Sequence, residues 1–212
     1  MTSSTDPGPN TPRVAWAAVG RCFLNSFRML ARHQVRLPHR NLGRQIHFAD
    51  DSSARVYRET VVPGRIPKEP CYLAVSFRLR YVRGHGHKLF RMESILNTPL
   101  FVGFPGFISK LWLANDGEGR YRGLYEWDGA DAAENYARSL WRVLEIVSEP
   151  ESIDYRVLPG RRRDDVVDHP DSPDQPASSS RDPGWWRVTE PLSRVDSPEG
   201  SGPRSGSRTG EP

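Results

Sequence analysis

The chain has little cysteine. Its 212 residues include only Cys22 and Cys71, which lie far apart in the sequence. Without a CxxC pair, a structural zinc site and a disulfide framework are both disfavoured, and a reducing, cytoplasmic location is expected. Motifs of the G-x-G-x-x-G, P-loop, G-x-S-x-G and H-E-x-x-H types are also missing. The sequence therefore predicts no cofactor and no metal ion.

Long apolar runs and a one-sided charge are missing as well. The apolar run that starts at Val14 is interrupted by Gly20, Arg21 and Arg28, so it predicts neither a signal peptide nor a membrane span. Over the whole chain, acidic and basic residues are interspersed and the net charge is only +4. A nucleic-acid-binding protein more often carries one basic face. We therefore expect no nucleic-acid partner and no stable membrane insertion.

Composition divides the chain into four parts. Residues 1–12 are polar and contain prolines, which predicts a disordered leader. Residues 13–70 form an appendage of one helix and one β-hairpin, and residues 71–160 form the main domain. Residues 161–212 are rich in Ser, Pro, Asp and Gly and predict a disordered tail, because they bury too little apolar surface to offset chain entropy. The Trp185-Trp186 pair in that tail is expected to make a transient contact with the domain or with a partner.

The appendage begins with a helix at Val14–His33. Apolar residues recur there at spacings of three and four, at Trp16, Val19, Phe23, Phe27 and Leu30. This stripe predicts a buried face that packs on the same domain or on a dimer mate. Because arginines lie largely off the stripe, a basic amphipathic helix on an anionic membrane surface is the alternative. A β-hairpin follows, with extended segments on either side of an Asp/Ser turn at residues 50–53.

The main domain has the order strand, helix, strand, strand, helix, strand. Alternating apolar residues, glycine-rich turns and a proline stop support this prediction. The pattern places strands at Cys71–Tyr81, Ile108–Ala114, Arg120–Trp127 and Ile153–Leu158, and helices at Lys88–Leu96 and after Asp128, the predicted N-cap. This order is that of an α+β, ferredoxin-like βαββαβ fold.

Two segments carry a sharper resemblance. NTPLFVGFPGFISKLWL at residues 97–113, and YRGLYEWD at residues 121–128 with the Ala-rich helix after it, resemble the YdhR-like mono-oxygenase family. That family belongs to the dimeric α/β-barrel superfamily, which also contains the antibiotic-biosynthesis mono-oxygenases. The resemblance covers under half of the chain. It implies a homodimer in which a second subunit covers the sheet face opposite the helices, and an oxidoreductase that needs no cofactor.

The candidate site is a pocket on that non-helix face. Alternation along the strands offers five residues for it, namely Arg78, Lys110, Trp112, Glu126 and Arg156. An aromatic wall with a few convergent polar groups is typical of small-molecule sites. Arg78 or Lys110 is expected to stabilise an enolate or phenolate, and Glu126 to act as the base against the Trp112 wall. Ser76 on the same face, Arg156, and His87 in the loop after the first strand are further substrate-binding candidates.

Two hypotheses for function follow. The first is a cofactor-independent mono-oxygenase, or a related enzyme, that acts on an aromatic or polyketide-like small molecule. The second is a non-catalytic dimeric ligand-binding or scaffolding protein, in which charges on the sheet face simply form cross-strand ion pairs. An open cavity on the non-helix face favours the enzyme, whereas a face closed by paired charges favours the binding protein.

Overall fold

An antiparallel β-sheet with helices against it makes this an α+β protein. The computed structural model describes residues 9–80, 98, 101–170, 184–191 and 193–194. The helices are α1 (Pro12–Ala31), α2 (Ala130–Val147) and α3 (Arg163–Asp168), with a 3₁₀ turn at Pro150–Ser152. The strands are β1 (Arg44–His47), β2 (Ser53–Val61), β3 (Pro70–Arg78), β4 (Phe107–Leu113), β5 (Arg120–Asp128), β6 (Asp154–Pro159) and β7 (Ser193–Arg194).

The strand order is β6-β3-β5-β4-β2-β1-β7, and neighbouring strands are antiparallel. The four strands of the main domain lie close to their predicted positions, and β1 and β2 form the predicted hairpin, which extends the sheet beside β4. The predicted helix at Lys88–Leu96 and the loop that holds His85 and His87 lie outside the described residues.

Alternating side chains give the sheet an apolar core on each face. On β3, Leu73 and Val75 belong to the core on the side of α1 and α2, whereas Tyr72 and Ala74 belong to the core on the opposite side. Both cores are rich in aromatic residues, and β3 is buried on both faces. This explains why the residues facing either side of β3 are apolar or uncharged until Arg78, the last residue of the strand.

The helix α1 packs through small residues, which corrects the predicted stripe. Its buried face consists of Ala15, Ala18, Val19, Cys22, Ser26 and Met29. The backbone of Gly103 crosses this face so closely that a Cβ there would lie 2.6 Å from the Ser26 nitrogen and closer still to the Cys22 carbonyl oxygen. Large side chains would hold the helix away from Gly103. Four of the five predicted core residues, all except Val19, therefore point outward.

The chain itself covers the non-helix face of the sheet. Val166 and Val167 of α3 pack there with Trp185, Trp186 and strand residues. The Tyr72 hydroxyl donates a hydrogen bond of 3.2 Å to the Trp186 carbonyl oxygen, and both tryptophans are buried. The expectation of disorder after residue 160 is therefore corrected for these segments. The face that was expected to meet a second subunit is occupied within the same chain.

The start of α2 also differs from the prediction. Gly129, with φ of 95°, is the N-cap, and no side chain caps the helix. The carboxylate of Asp128 instead accepts hydrogen bonds from the backbone nitrogens of Lys68 (2.8 Å) and Glu69 (2.9 Å). Asp128 thereby fixes the linker between β2 and β3 against the end of β5. A capping pattern in the sequence cannot reveal this long-range use of the carboxylate.

Candidate functional site

The residues predicted to form one pocket lie on opposite faces of the sheet. Trp112 belongs to the core beneath α1 and α2, and Lys110, two positions earlier on β4, lies against its ring. Glu126 of β5 pairs in register with Tyr72, which belongs to the opposite core. Arg156 of β6 contacts Trp186 on that same opposite side, with its guanidinium carbon 5.3 Å from the ring centre. The predicted pocket therefore does not form.

Ser76 and Arg78 lie near the end of β3 on the non-helix face and are engaged in polar contacts. The Ser76 hydroxyl accepts a hydrogen bond of 3.0 Å from Arg120, and Arg78 donates one of 2.6 Å to Glu118. The Arg78–Glu118 pair is exposed to solvent, so it resembles an ordinary surface ion pair. His87 lies outside the described residues.

Glu126, the predicted base, is a buried carboxylate paired with the exposed guanidinium of Arg162. Its carboxylate accepts a hydrogen bond of 2.9 Å from Nε of Arg162. Both residues line an open cleft of about 280 Å³ together with Ser109 and Arg163. Within the described part of the chain, the buried Ser109 hydroxyl has no hydrogen-bond partner. Charged and apolar side chains both line the cleft, and the Glu126 carboxylate is paired with a guanidinium rather than directed at open space.

Arg122 forms the densest ion-pair network on the non-helix face. It donates to Asp116 (2.6 Å), to Asp50 (3.0 Å) and to the carbonyl oxygen of Trp185 (3.1 Å). Its side chain is fully buried, and that of Asp116 is nearly so. This network ties the β1–β2 turn, the β4–β5 turn and the tryptophan segment together. Because the network is buried and joins three segments of the chain, we interpret it as stabilising the fold.

A second buried network joins α3 to β2. Arg163 donates to Glu59 (2.8 Å), and the other carboxylate oxygen of Glu59 accepts from Asn41 (3.0 Å). The side chains of Arg163 and Glu59 are both buried. Together with the Arg122 network, these contacts cover much of the non-helix face with paired charges and tryptophans, beside the cleft at Glu126.

The helix side of the sheet holds an unusual buried lysine. The Lys110 nitrogen lies 3.2 Å from the ring centre of Trp112, 4.7 Å from that of Tyr125 and 4.8 Å from that of Phe101. Burial, and secondarily the charge of Arg58, lowers the pKa of the Lys110 ammonium well below its ordinary value. A larger fraction of this side chain than of an exposed lysine is therefore the neutral amine, which can accept a proton.

Arg58 of β2 lies beside this lysine and was not singled out from the sequence. Its guanidinium carbon is 5.0 Å from the Trp112 ring centre, and it donates a hydrogen bond to the Thr98 hydroxyl. Burial also lowers the pKa of Arg58 below its ordinary value. The indole nitrogen of Trp112 donates to Thr60 (3.0 Å), which fixes the orientation of the ring. Two positive groups are thus brought to one buried ring.

Two tyrosines complete the surroundings of the lysine. The Tyr136 hydroxyl of α2 donates a hydrogen bond of 3.1 Å to that of Tyr125, and burial raises the pKa of both phenols. A Cβ at Gly123 would lie 2.8 Å from the Tyr125 ring and 3.1 Å from Cε of Lys110, so glycine leaves room for both. We call Lys110, Arg58, Trp112, Tyr125 and Tyr136 the Lys110 cluster.

The two cysteines are weaker candidates for catalysis than the Lys110 cluster. Burial raises the pKa of the Cys22 thiol, and it raises that of Cys71 to about 11, so neither cysteine is an activated nucleophile. In the described ranges, no three His, Cys, Asp or Glu side chains come together in an arrangement that could hold a metal ion. A bilayer-spanning helix, which needs a long apolar stretch, is not found among the residues that the structure describes.

Comparisons with known proteins identify no relative. No family model matches the chain, and no curated protein is significantly similar to it. Among solved structures, a chain described as a major regulator of staphylococcal pathogenesis is 16% identical, with a TM-score of 0.37. The match covers 61% of this chain and 87% of that chain. At this TM-score the likeness supports no conclusion about fold or function.

Proposed function

We propose that this protein is a small-molecule enzyme of the cofactor-independent mono-oxygenase type, with Lys110 as its base. The observation that carries the proposal is the position of the Lys110 nitrogen, buried among three aromatic rings and 3.2 Å from the centre of one of them. Titratable groups with strongly perturbed pKa values concentrate at functional sites. Lysines are tuned for base catalysis by burial and by a neighbouring positive charge, and both are present here.

The cluster supplies the groups that such a reaction needs. A neutral Lys110 would take a proton from an acidic phenol or from a methylene activated by aromatic rings. Arg58 would then stabilise the resulting anion electrostatically, and an aromatic substrate would have to displace part of the ring packing around Lys110 to reach it. The anion reacts with O₂ so that the methylene loses two hydrogens and gains one oxygen atom as a carbonyl. The second oxygen atom leaves as water, so no external reductant is required.

The order of the strands supports the proposed relationship to the YdhR-like family. The four strands of the main domain lie in the order β6-β3-β5-β4, all antiparallel, which is the order expected for a ferredoxin-like unit of the YdhR-like type. A homodimer is part of this proposal. Its interface would have to differ from that of a simple barrel, because α3, Trp185 and Trp186 already pack on the non-helix face.

Oxygen uptake tests the enzyme directly. The full chain would be supplied with a panel of hydroquinones and anthrones, and consumption of O₂ would be followed with an electrode. Activity that is lost in Lys110→Met and Lys110→Arg, but kept in Arg78→Met, would support the proposal, because Arg78 forms only an exposed ion pair. Turnover that is unchanged in Lys110→Met would contradict the role of Lys110.

One observation favours a second candidate, a non-catalytic ligand-binding or scaffolding protein. The non-helix face is closed by ion pairs of Arg162 with Glu126 and of Arg163 with Glu59. That is the arrangement expected of a structural face rather than of an active site. A ligand that raises the melting temperature equally in wild type and in Lys110→Met, with no O₂ consumed in either, would favour this candidate.

A further inference from the structure

We propose that α1 docks this protein on an anionic lipid bilayer, lying flat on its surface. The proposal concerns the outer face of α1, opposite to the side that packs on the core, and does not depend on the function proposed above. It is carried by an exposed aromatic stripe, by the charge of the same helix, and by a basic cleft that continues from it.

The outer face of α1 exposes large apolar side chains. Trp16 and Phe23 are each 51% exposed, Leu24 is 66% exposed and Phe27 is 68% exposed. At 100° per residue, Trp16, Phe23 and Phe27 lie within one narrow sector of the helix, and Leu30 extends it toward the C-terminus. A Cβ added at Gly20, beside this sector, would meet nothing within 4 Å. Aromatic and leucine side chains of this kind are the ones that enter the boundary between headgroups and acyl chains.

The charge of the helix complements an anionic surface. From Pro7 to Ala49 the chain has seven arginines and neither Asp nor Glu, so the even spread of charge expected from the whole sequence does not hold here. Four of these arginines, Arg13, Arg21, Arg28 and Arg32, lie on α1 or at its end and are exposed. Basic residues beside an apolar helix face add to the attraction of anionic lipids.

A cleft beside the second half of α1 continues this positive surface. Its volume is about 620 Å³, and Arg28, Arg32 and Arg65 contribute to its lining. The acid that also lines it, Asp128, accepts hydrogen bonds from two backbone nitrogens of the β2–β3 linker. The exposed side chain of Ile66 lies at the same cleft. Phosphate headgroups would thus meet cations both along α1 and in the cleft beside it.

A second copy of this chain fits the helix less well. In a symmetric dimer the same patch occurs on both subunits, so the arginines of one α1 would face those of the other. Like charges brought together oppose such pairing. An anionic bilayer offers apolar acyl chains to the stripe and negative headgroups to the arginines. We therefore favour a bilayer over a second copy of the chain as the partner of α1.

Vesicle cosedimentation tests the proposal. The full chain would be mixed with vesicles of phosphatidylcholine alone and with an equimolar mixture of phosphatidylcholine and phosphatidylglycerol. We expect binding to the mixed vesicles, weakened by added salt, and little binding to phosphatidylcholine. Arg21→Glu should lower the partition coefficient by at least about fivefold, and Phe27→Ser by a similar factor. The control variants Arg55→Glu and Ile146→Ser change an exposed arginine of β2 and an exposed isoleucine of α2, and they should bind as wild type does.

Two results would overturn the proposal. The first is a lack of binding to the mixed vesicles, or equal binding to both vesicle types, by a chain whose circular dichroism shows it to be folded. The second is a dimer, found by light scattering without lipid, that Phe27→Ser converts into a monomer. That outcome would assign the stripe to a second copy of this chain.

Discussion

The side-chain nitrogen of Lys110 lies 3.2 Å from the centre of the Trp112 ring. The two residues are two positions apart on β4 and therefore share one face of the sheet. Burial favours the neutral amine of Lys110, whereas a ring face favours the ammonium. The protonation state of this lysine thus depends on how it is packed, which makes Lys110 the most informative position to change.

Replacing Lys110 with Met should stabilise the protein at neutral pH. On folding at neutral pH this amine must either lose its proton or be buried as a charge, so its removal is expected to raise the free energy of unfolding by about 1–4 kcal/mol. The pKa of Lys110 in the folded state lies below its ordinary value of 10.5. The unfolded chain therefore binds more protons between the two pKa values, and wild type gains stability as the pH rises through that window.

Urea unfolding of both proteins, at neutral pH and near pH 10, measures this effect. The stability advantage of Lys110→Met should shrink at the higher pH, because wild type no longer has to bury a charge there. An advantage that stays constant with pH would mean that Lys110 titrates equally in the folded and unfolded chains.

Arg122 should matter far more to stability than Arg78, although the two lie on the same side of neighbouring strands. Arg122→Met leaves Asp116 buried without its cation, which should cost about 3–5 kcal/mol. Arg78→Met removes an exposed pair and should cost about 1 kcal/mol or less. Chemical denaturation of the two variants compares them. Equal losses would show that the Arg122 network is not buried as described.

A methyl group at Gly103 should displace α1. The added Cβ would collide with the backbone of Cys22 and Ser26, so Gly103→Ala should lower the free energy of unfolding by about 3 kcal/mol or more. Gly20→Ala, on the open side of the same helix, should instead stabilise the protein by about 1 kcal/mol. Thermal unfolding monitored by circular dichroism distinguishes the two, and a tolerated Gly103→Ala would count against the packing of α1.

The tryptophan pair should contribute to the stability of the sheet. Trp186→Ala removes a fully buried side chain beside Tyr72 and should cost about 3–5 kcal/mol. Residues in a disordered tail could be changed without such a loss. Equilibrium unfolding of this variant therefore tests whether the chain covers its own sheet, and a change below about 0.5 kcal/mol would contradict it.

Local sequence patterns were sufficient to predict the strands of the main domain. The alternation on β3 and the glycine turn between β4 and β5 are set by neighbours in the sequence, and both agree with the structure. The face of α1 could not be found in this way. Its most apolar stripe is exposed, because the close approach of Gly103 selects small side chains, and Gly103 lies far away in the sequence.

The prediction of one pocket on the non-helix face was wrong for a related reason. Alternation fixes which residues of one strand share a face, but it does not relate Lys110 on β4 to Glu126 on β5. A shift of register between Phe107 and Ser109 sets that relation, and it places Lys110 opposite Tyr125. The burial of Trp185 and Trp186 likewise depends on a distant sheet face. Polar composition around the pair predicted disorder, because the apolar surface that receives it lies elsewhere in the chain.

Titration of Lys110 by NMR tests the central claim most directly. With lysine labelled with ¹³C at Cε, the Lys110 signal is the one that disappears in Lys110→Met. We expect this signal to titrate well below the ordinary lysine value of 10.5, and a bound phenolate analogue to raise its pKa. A Lys110 signal that titrates at the ordinary lysine value of 10.5 would contradict the assignment of Lys110 as a base.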